Sequence, residues 1–302
     1  MAHPLSRLDP SLLPTFLTVL GAGRISGAAK SLGLSQPAVT AQIRRLEEAL
    51  GASLFIRSAS GVTPTPAGER LAEYARSIQR LLDAAASELG NERALQGELA
   101  VGASTTVAGH VLPPLLAQFQ ARQPQVSVRV QVGNTDVVLE HVRRGSCAIG
   151  MVEGSARAPG IRLEPYLDDE LVLLVGQNTH FGIRTLEDLK RVPVLRREPG
   201  SGTRAVVERA LAKAGLPQGS LRRSVELGST EALLSGVAAG MGVAFVSRWS
   251  ARAHLAAGLV RIVPRLDIVI RRTFSWAFAS GASHGLAASF HAFVGSCPLP
   301  SP

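Results

Sequence analysis

A chain of 302 residues is too long for one small hydrophobic core and suits two or three compact units. With 46% hydrophobic and 18% charged residues, the composition excludes disorder over most of the length, and no apolar run reaches the roughly 20 residues that span a bilayer. The formal net charge of +9 favours a polyanionic partner, although only +2 of it falls in residues 1–90 and +7 in the remainder. Cys147 and Cys297 lie far apart without His or Cys at ligand spacing, which reads as reduced thiols. The opening residues lack the basic and apolar regions of an export signal, so a soluble cytoplasmic protein with no membrane partner is expected.

The first ninety residues read as successive helices. Leu12, Leu13, Phe16, Leu17 and Leu20 share one face of a helix predicted over 10–20, with a turn at Gly21-Ala22-Gly23. A short helix over 26–32 follows, with Ser26 as N-cap, Ala28, Ala29 and Leu32 as its packing face and Gly33 as a left-handed C-cap. A third helix opens at Ser35, whose hydroxyl can cap the free N–H groups ahead of Gln36 and Pro37. At the helical period Val39, Ile43, Leu46 and Leu50 form one core-facing stripe. Pro37, Thr40, Ala41 and Arg44 fall on the opposite face, Gln36 lies exposed at the N-terminal end, and Gly51 stops the helix.

Such a small, polar and basic face fits a major groove: Gln36 and Thr40 would read base edges, Ala41 a thymine methyl, and Arg44 a guanine or a phosphate. Taken alone, the face reads more readily as the solvated side of an amphipathic helix. The order of elements favours the groove. The stretch LFIRSASGVTPT reads as a hairpin running out through Leu54, Phe55 and Ile56 and back through Val62 and Thr63. A hairpin directly after a recognition helix is a wing, and Arg57 at its base is placed to meet the phosphate backbone.

The run SGAAKSLGLSQPAVTAQIRRLEEALGASLFIR resembles the signature of the LysR-type transcriptional regulators. Its Ala-Ala pair, Ser-Gln-Pro-Ala-Val, Gln-Ile, Leu-Glu, Leu-Gly and Leu-Phe-x-Arg recur there at fixed spacings, and the likeness covers residues 10–70. The resemblance implies that Gln36, Pro37, Thr40 and Ala41 face double-stranded DNA. Many members carry an arginine just before the wing's Gly-Val pair; this chain has Ser60, which implies a weaker wing contact.

Thr65 as N-cap and Pro66 at the first position open a fourth helix. Ala67, Leu71, Tyr74, Ala75, Ile78, Leu81, Leu82, Ala85 and Leu89 recur in it at spacings of three and four, up to Gly90-Asn91. This seam reads either as packing on its own domain or as a dimerisation helix. Its length after a wing favours the homodimer, and the resemblance implies a homotetramer as well. Two-fold symmetry would then present paired recognition helices to half-sites about one helical turn, or a multiple of it, apart. The expected domains are a winged helix-turn-helix over 1–64, a linker and dimerisation helix over 65–91, and an effector-binding domain over 92–302.

From residue 98 strands alternate with helices. Strands are predicted over 98–103, 126–132, 148–152, 171–175, 192–195, 242–246, 259–263 and 272–279, and helices over 111–120, 137–144, 202–214, 230–239 and 282–294. The apolar strands predict a parallel sheet covered on both faces, arranged as two α/β lobes with crossovers near 153–165 and 264–271. Three segments sit at strand ends and open helices: Ser104-Thr105-Thr106, the run REPGSGTR that begins at Arg197, and Gly228-Ser229-Thr230. Each joins hydroxyls to free backbone N–H groups at a helix N-terminus, an arrangement that favours an anion. In the middle segment Gly200, Ser201, Gly202 and Thr203 supply the turn, and Arg197 and Arg204 can add charge-assisted hydrogen bonds. Each loop also reads as an ordinary helix cap; three placed alike favour an anion-sensing cleft.

This layout resembles the family's effector domain, itself similar to type 2 periplasmic binding proteins. ASTT followed by LPPLLAQFQ, and REPGSGTR, resemble the branch that includes CbbR, a regulator of carbon fixation, and CysL, a regulator of sulfite reduction. The resemblance implies a DNA-binding regulator whose promoter binding responds to a small anionic effector, such as a phosphorylated sugar or a sulfur oxyanion, with no other cofactor. The closing CPLPSP reads as disordered.

Two rivals are weighed against this. An anion-binding enzyme would need a nucleophile or base, and the chain has neither a phosphate-loop lysine nor a G-x-S-x-G elbow, nor a His/Cys cluster for a metal. A solute-binding protein of the same two-lobed fold leaves the first ninety residues unexplained.

Overall fold

The computed structural model describes residues 8–58, 61–89, 95–154, 158–221, 223–264, 266–279 and 285–298. Ser60, the Gly90-Asn91 helix end, the start of the helix predicted from 282 and the last residues of CPLPSP lie outside them. The chain divides into two compact units, Met1–Asn91 and Glu92–Pro302.

In the first unit Asp9 accepts hydrogen bonds from the backbone N and hydroxyl of Ser11 and so caps a 3-10 turn, Pro10–Leu12, that leads into α1, Leu13–Ala22. The helix runs on through Gly21, which is solvent-exposed, and Ala22, so of the expected turn only Gly23 leaves the helix, in the left-handed conformation (φ 62°). Arg24 is then extended and α2, Ile25–Leu32, starts at once, which places Ser26 inside the first turn instead of at the cap. Helix α3, Gln36–Leu50, is capped as expected: the Ser35 hydroxyl accepts from Ala38 N at 3.3 Å. Val39, Ile43 and Leu46 are buried, but Leu50 is 41% exposed, because the packed layer ends at Leu46 and the chain turns at Gly51.

Strands β1, Phe55–Ser58, and β2, Gly61–Pro64, pair antiparallel as the wing. Its base is held by the Glu47 carboxylate, which accepts from Leu54 N at 2.7 Å and Phe55 N at 3.4 Å. Helix α4, Pro66–Leu89, follows, with the Thr65 hydroxyl accepting from Gly68 N at 3.0 Å. The expected single seam divides. Leu71, Ala72 and Ala75 complete the core of the winged helix, with Ala67 and Ile78 packed against it, whereas Tyr74, Leu81 and Leu82 are exposed.

In the second unit β3, Gly97–Ser104, is followed by α5, Thr105–His110, and α6, Leu112–Arg122; β4, Val126–Gly133, leads to α7, Thr135–Arg143, and β5, Ile149–Glu153. Strand β6, Ile161–Gly176, passes to the second lobe. There β7, Val194–Arg197, α8, Gly202–Lys213, β8, Arg223–Leu227, α9, Thr230–Ala238, β9, Ala244–Ser247, α10, Arg248–Ala256, and β10, Val260–Ile262, precede the return strand β11, Ile270–Ala279, and α11, Gly285–Ser296.

The main sheet is mixed rather than parallel. β3 is parallel to β4 and β5, but β11 is antiparallel to both β5 and β6, and β9 and β10 are antiparallel to β6. The cause is β6, sixteen residues long, which pairs with β11 over its first part and with β9 and β10 over its last. Passage between lobes therefore takes place inside two paired strands, not in the irregular crossovers expected at 153–165 and 264–271. Separate apolar clusters fill the lobes, one around Leu99, Phe119, Trp276 and Phe290 and another around Leu171, Leu211, Val243 and Phe245. Among the described residues no helix is long and apolar enough to cross a membrane.

Gly68 packs so closely under the wing that a Cβ there would collide with the Leu54 carbonyl oxygen. Gly68→Ala is expected to lower the urea midpoint of the DNA-binding unit by an amount equivalent to about 1–3 kcal/mol, the usual cost of overpacking. An unchanged midpoint would show that the helix can retreat freely from the wing.

Candidate DNA interface and effector cleft

Gln36, Pro37, Ala41 and Arg44 are all exposed on one side of α3, and Thr40 is half-buried among them. Arg44 is held in an exposed i,i+4 ion pair with Glu48 (2.9 Å), a weak contact that a phosphate or base can displace. Arg57 is exposed on β1, opposite Val62. The opposite face of α3 is committed to the core, and Thr15 on α1 donates to Gln42 Oε1 at 2.5 Å, so the helix has one face free for a ligand.

In the second unit the three N-terminal loops converge. Thr230 Oγ1 lies 3.0 Å from Thr105 Oγ1 and 3.2 Å from Thr106 Oγ1, a contact between residues at the start of α9 and the start of α5. Arg197, at the end of β7 and only 2% exposed, donates from Nη1 to Thr105 at 2.8 Å and to Thr230 at 3.2 Å. Its other edge binds Glu198 bidentately, Nε to Oε2 at 2.7 Å and Nη2 to Oε1 at 2.8 Å. Burial pushes the Glu198 carboxyl up, but hydrogen bonding to Arg197, the Glu198 backbone and Asn134, with the Arg197 charge, together hold it below its ordinary value.

The remaining expected residues serve other ends. Ser201 and Ser229 cap their own helices, accepting from Arg204 N at 3.4 Å and Ala232 N at 3.1 Å. Gly200 (φ 84°) packs against Asn134 and Asp136, and Gly202 is pressed against Thr135 and the Glu153 carbonyl. Arg204 bonds Glu208 and Glu226, each at 2.8 Å, and the Arg197 carbonyl at 3.1 Å, so it stabilises the lobe instead of offering a free cation. Ser104 does not cap α5; its hydroxyl donates to Glu153.

Glu153 belongs to a buried charge cluster not anticipated from the sequence. Arg272 donates to Asp169 Oδ2 at 2.6 Å and to Thr203 Oγ1 at 2.7 Å, and its Nη1 lies 3.5 Å from Glu153 Oε1. Thr203 in turn donates to Glu153 at 3.1 Å, and Ser247 to Asp169 at 2.8 Å. Burial pushes the Asp169 carboxyl above its ordinary pKa, with the Arg272 guanidinium opposing it. The only sequence signals were charged residues ending or interrupting apolar strands: Glu153 after AIGMV, the Asp168-Asp169-Glu170 run, and the Arg271-Arg272 pair.

His110, at the end of α5, is half-buried beside Glu231 and His254, the latter two 3.6 Å apart. Burial lowers the His110 pKa, the Glu231 carboxylate pulls it back up, and His254 lowers it further. The folded chain therefore binds fewer protons here than the unfolded chain as pH falls through about 6.5, so stability is full above that value and declines below it. Replacing His110 with Asn is expected to shrink the fall in urea midpoint between about pH 8 and about pH 5.5. An identical fall in wild type and variant would exclude His110 as its source.

Residues 10–69 match the family described as bacterial regulatory helix-turn-helix protein, lysR family, and residues 92–296 match the LysR substrate binding domain. The chain is 32% identical over 270 residues to the HTH-type transcriptional regulator CysL of Bacillus subtilis (strain 168), covering 88% of this chain and 89% of that protein. It is 33% identical over 256 residues to the HTH-type transcriptional regulator CbbR of Xanthobacter flavus, covering 80% and 73%. The solved structure of full-length CbnR complexed with the target DNA is similar with a TM-score of 0.62 and 26% identity, over 95% of this chain and 99% of that one. With a winged helix-turn-helix followed by a two-lobed effector domain, the chain belongs to the LysR family of DNA-binding transcriptional regulators, in the branch that holds CysL and CbbR.

Proposed function

We propose that the regulator reads operator bases through Gln36 and Thr40 of α3, anchors on phosphate through Arg44 and Arg57, and works as a homodimer inside the cell. The exposure of one small-residue face on an otherwise committed helix supports the readout. The exposed stripe of Tyr74, Leu81 and Leu82, distinct from the stripe that closes the domain's own core, supports pairing through α4. Gln36→Ala is expected to cost about 1–3 kcal/mol at its cognate base pair and to relax specificity there. Arg57→Ala is expected to weaken all sequences alike and flatten the dependence of affinity on salt. Titrations against single-base operator variants separate the two; a uniform loss for Gln36→Ala would remove it from the base contacts.

The effector is a small anion seated against Arg197, and the cleft binds it without turning it over. The observation that carries this is the buried Arg197, whose guanidinium already joins hydroxyls from two other loops and holds a carboxylate in the bidentate geometry an anionic ligand would adopt. Glu198 is a resident stand-in for the ligand. Its side chain is 22% exposed and adjoins the turn at Pro199-Gly200, so it can swing out as the ligand's oxygens take over the Nε and Nη2 edge. The exchange leaves the guanidinium neutralised throughout, which avoids the cost of an unpaired buried charge. Glu153, the carboxylate a hydrolytic reading would need, is committed to Arg272 and three hydroxyls, which supports binding over catalysis.

Thermal unfolding of the full chain against phosphorylated sugars, sulfur oxyanions and neutral amino acids tests this. An anion at about 100 times its dissociation constant should add about 2.7 kcal/mol of stability. Glu198→Gln should tighten that anion about tenfold, a factor worth roughly 1.4 kcal/mol, and Arg197→Gln should abolish the response. A response to neutral ligands alone, or one that survives Arg197→Gln, would overturn the assignment.

A further inference from the structure

Gly200 and Gly202, two of the expected turn residues, are pressed against the head of α7 in the other lobe. A Cβ on Gly200 would stand 3.0 Å from Asp136 Oδ2 and 3.1 Å from Asn134 Nδ2, and one on Gly202 would stand 2.6 Å from Thr135 Oγ1. So close an approach lets the N-cap and first turn of α7 bond the Pro199–Gly202 turn. Asn134 donates from Nδ2 to the Pro199 carbonyl, Asp136 N donates to the Gly200 carbonyl, and Gly202 N donates to Thr135 Oγ1, each at 3.2 Å. Thr135 is 1% exposed and donates in turn to the Glu153 carbonyl at 3.3 Å.

Asn134 joins this clasp to the Arg197 seat. Its Oδ1 caps α7 by accepting from Val137 N at 3.1 Å, which leaves both amide hydrogens for other acceptors. One acceptor is Pro199, and the same side chain also bonds the Glu198 carboxylate. Serine or aspartate would cap the helix as well. Serine, however, is too short to reach the turn, and aspartate has no N–H to give. An asparagine here meets a demand beyond the cap. Arg197 and Glu198 are adjacent in the chain, so their ion pair belongs to one lobe, whereas Asn134 holds the same carboxylate from the opposite lobe.

We infer that Asn134 is a positioning residue for the effector seat: it holds Glu198 on Arg197 from across the lobes and so sets the anion concentration at which Glu198 gives way. This rests on the exchange of Glu198 for a small anion proposed above. An incoming anion must free Glu198 from Asn134 as well as from Arg197, so its binding removes a bond between the lobes. Anion occupancy and the α7 clasp therefore oppose each other, and by linkage a looser clasp tightens the anion.

Isothermal titration with inorganic phosphate of the full chain, Asn134→Ser, Glu198→Ala and the double variant tests this. Serine keeps the cap of α7, and thermal unfolding curves check each fold. Asn134→Ser is expected to bind phosphate about fivefold tighter than wild type, the worth of one net hydrogen bond. Adding it to Glu198→Ala is expected to change affinity less than about twofold, because no carboxylate remains to be held. A purely structural loosening would instead shift both backgrounds alike. Should Glu198→Ala not fold, Glu198→Gln takes its place, with the same attenuation expected. The urea midpoints of these proteins without ligand give a second readout, in which the double variant loses less than the sum of the two single losses. Where phosphate binds, an unchanged or weaker affinity in Asn134→Ser, or equal shifts in both backgrounds, would overturn the inference, as would additive midpoints. Phosphate binding by none of the four would count against the Arg197 seat itself, and the midpoints then decide whether Asn134 holds Glu198.

Discussion

Where β6 and β11 carry the chain from one lobe to the other, Arg272 has its side chain wholly out of solvent between the carboxylates of Glu153 and Asp169. Those acids come from β5 and β6, while Thr203 at the head of α8 accepts from Arg272 and donates to Glu153, and Ser247 at the end of β9 donates to Asp169. Five elements of both lobes thus meet in one cluster around the guanidinium. Removing one partner of such a buried pair leaves a charge uncompensated and typically costs about 3–5 kcal/mol, so the cluster fixes the joint far more firmly than its count of bonds suggests. Two acids against one base is also an excess of negative charge. The raised pKa of Asp169, driven by burial, eases the imbalance by making a neutral carboxyl more accessible there.

That fixed joint gives the three N-terminal loops a frame in which they can meet. The Thr230 hydroxyl lies within hydrogen-bond reach of those of Thr105 and Thr106, although α5 follows β3 of one sheet and α9 follows β8 of another. Arg197 then bridges them with one face and Glu198 with the other. The arrangement is satisfied as it stands, so the proposed ligand is one that exchanges with Glu198 instead of adding to it.

The order of elements in the N-terminal unit and the caps of α3 were readable because their signals are local. Ser35, Gly33 and Gly51 act within one turn of where they stand, and the stripe of Val39, Ile43 and Leu46 needs only the helical period. In the second unit the same local logic found Ser201 and Ser229 as caps. It failed at β6, whose first ten residues, IRLEPYLDDE, carry five charges and a proline; the first five fell in the crossover expected at 153–165 and the other five in no expected strand, and their strand character comes from pairing with β11. It also missed α5, too short for a period, and α10, where Arg248, Arg252 and His254 dilute the apolar face. The partnership of Arg272 with Asp169 spans 103 residues of sequence, and no local pattern encodes a contact of that kind.

Helix α4 shows how one periodic pattern can serve two surfaces. Residues three and four apart drift around the helix, so a run of nine apolar positions over 67–89 does not stay on a single face. Leu71 and Ala75 fall to the inside, where they close the winged-helix core, and Tyr74 and Leu81 fall outside it. The DNA-binding unit therefore has no natural end before α4: cutting at residue 64 would strip away part of its own core along with the connector. Because the helix that would pair two chains also stabilises the reading head, a change in how the chains pair cannot leave the mounting of α3 untouched. A rigid element shared between a core and an interface is the physical means by which an event outside the reading head can reach it.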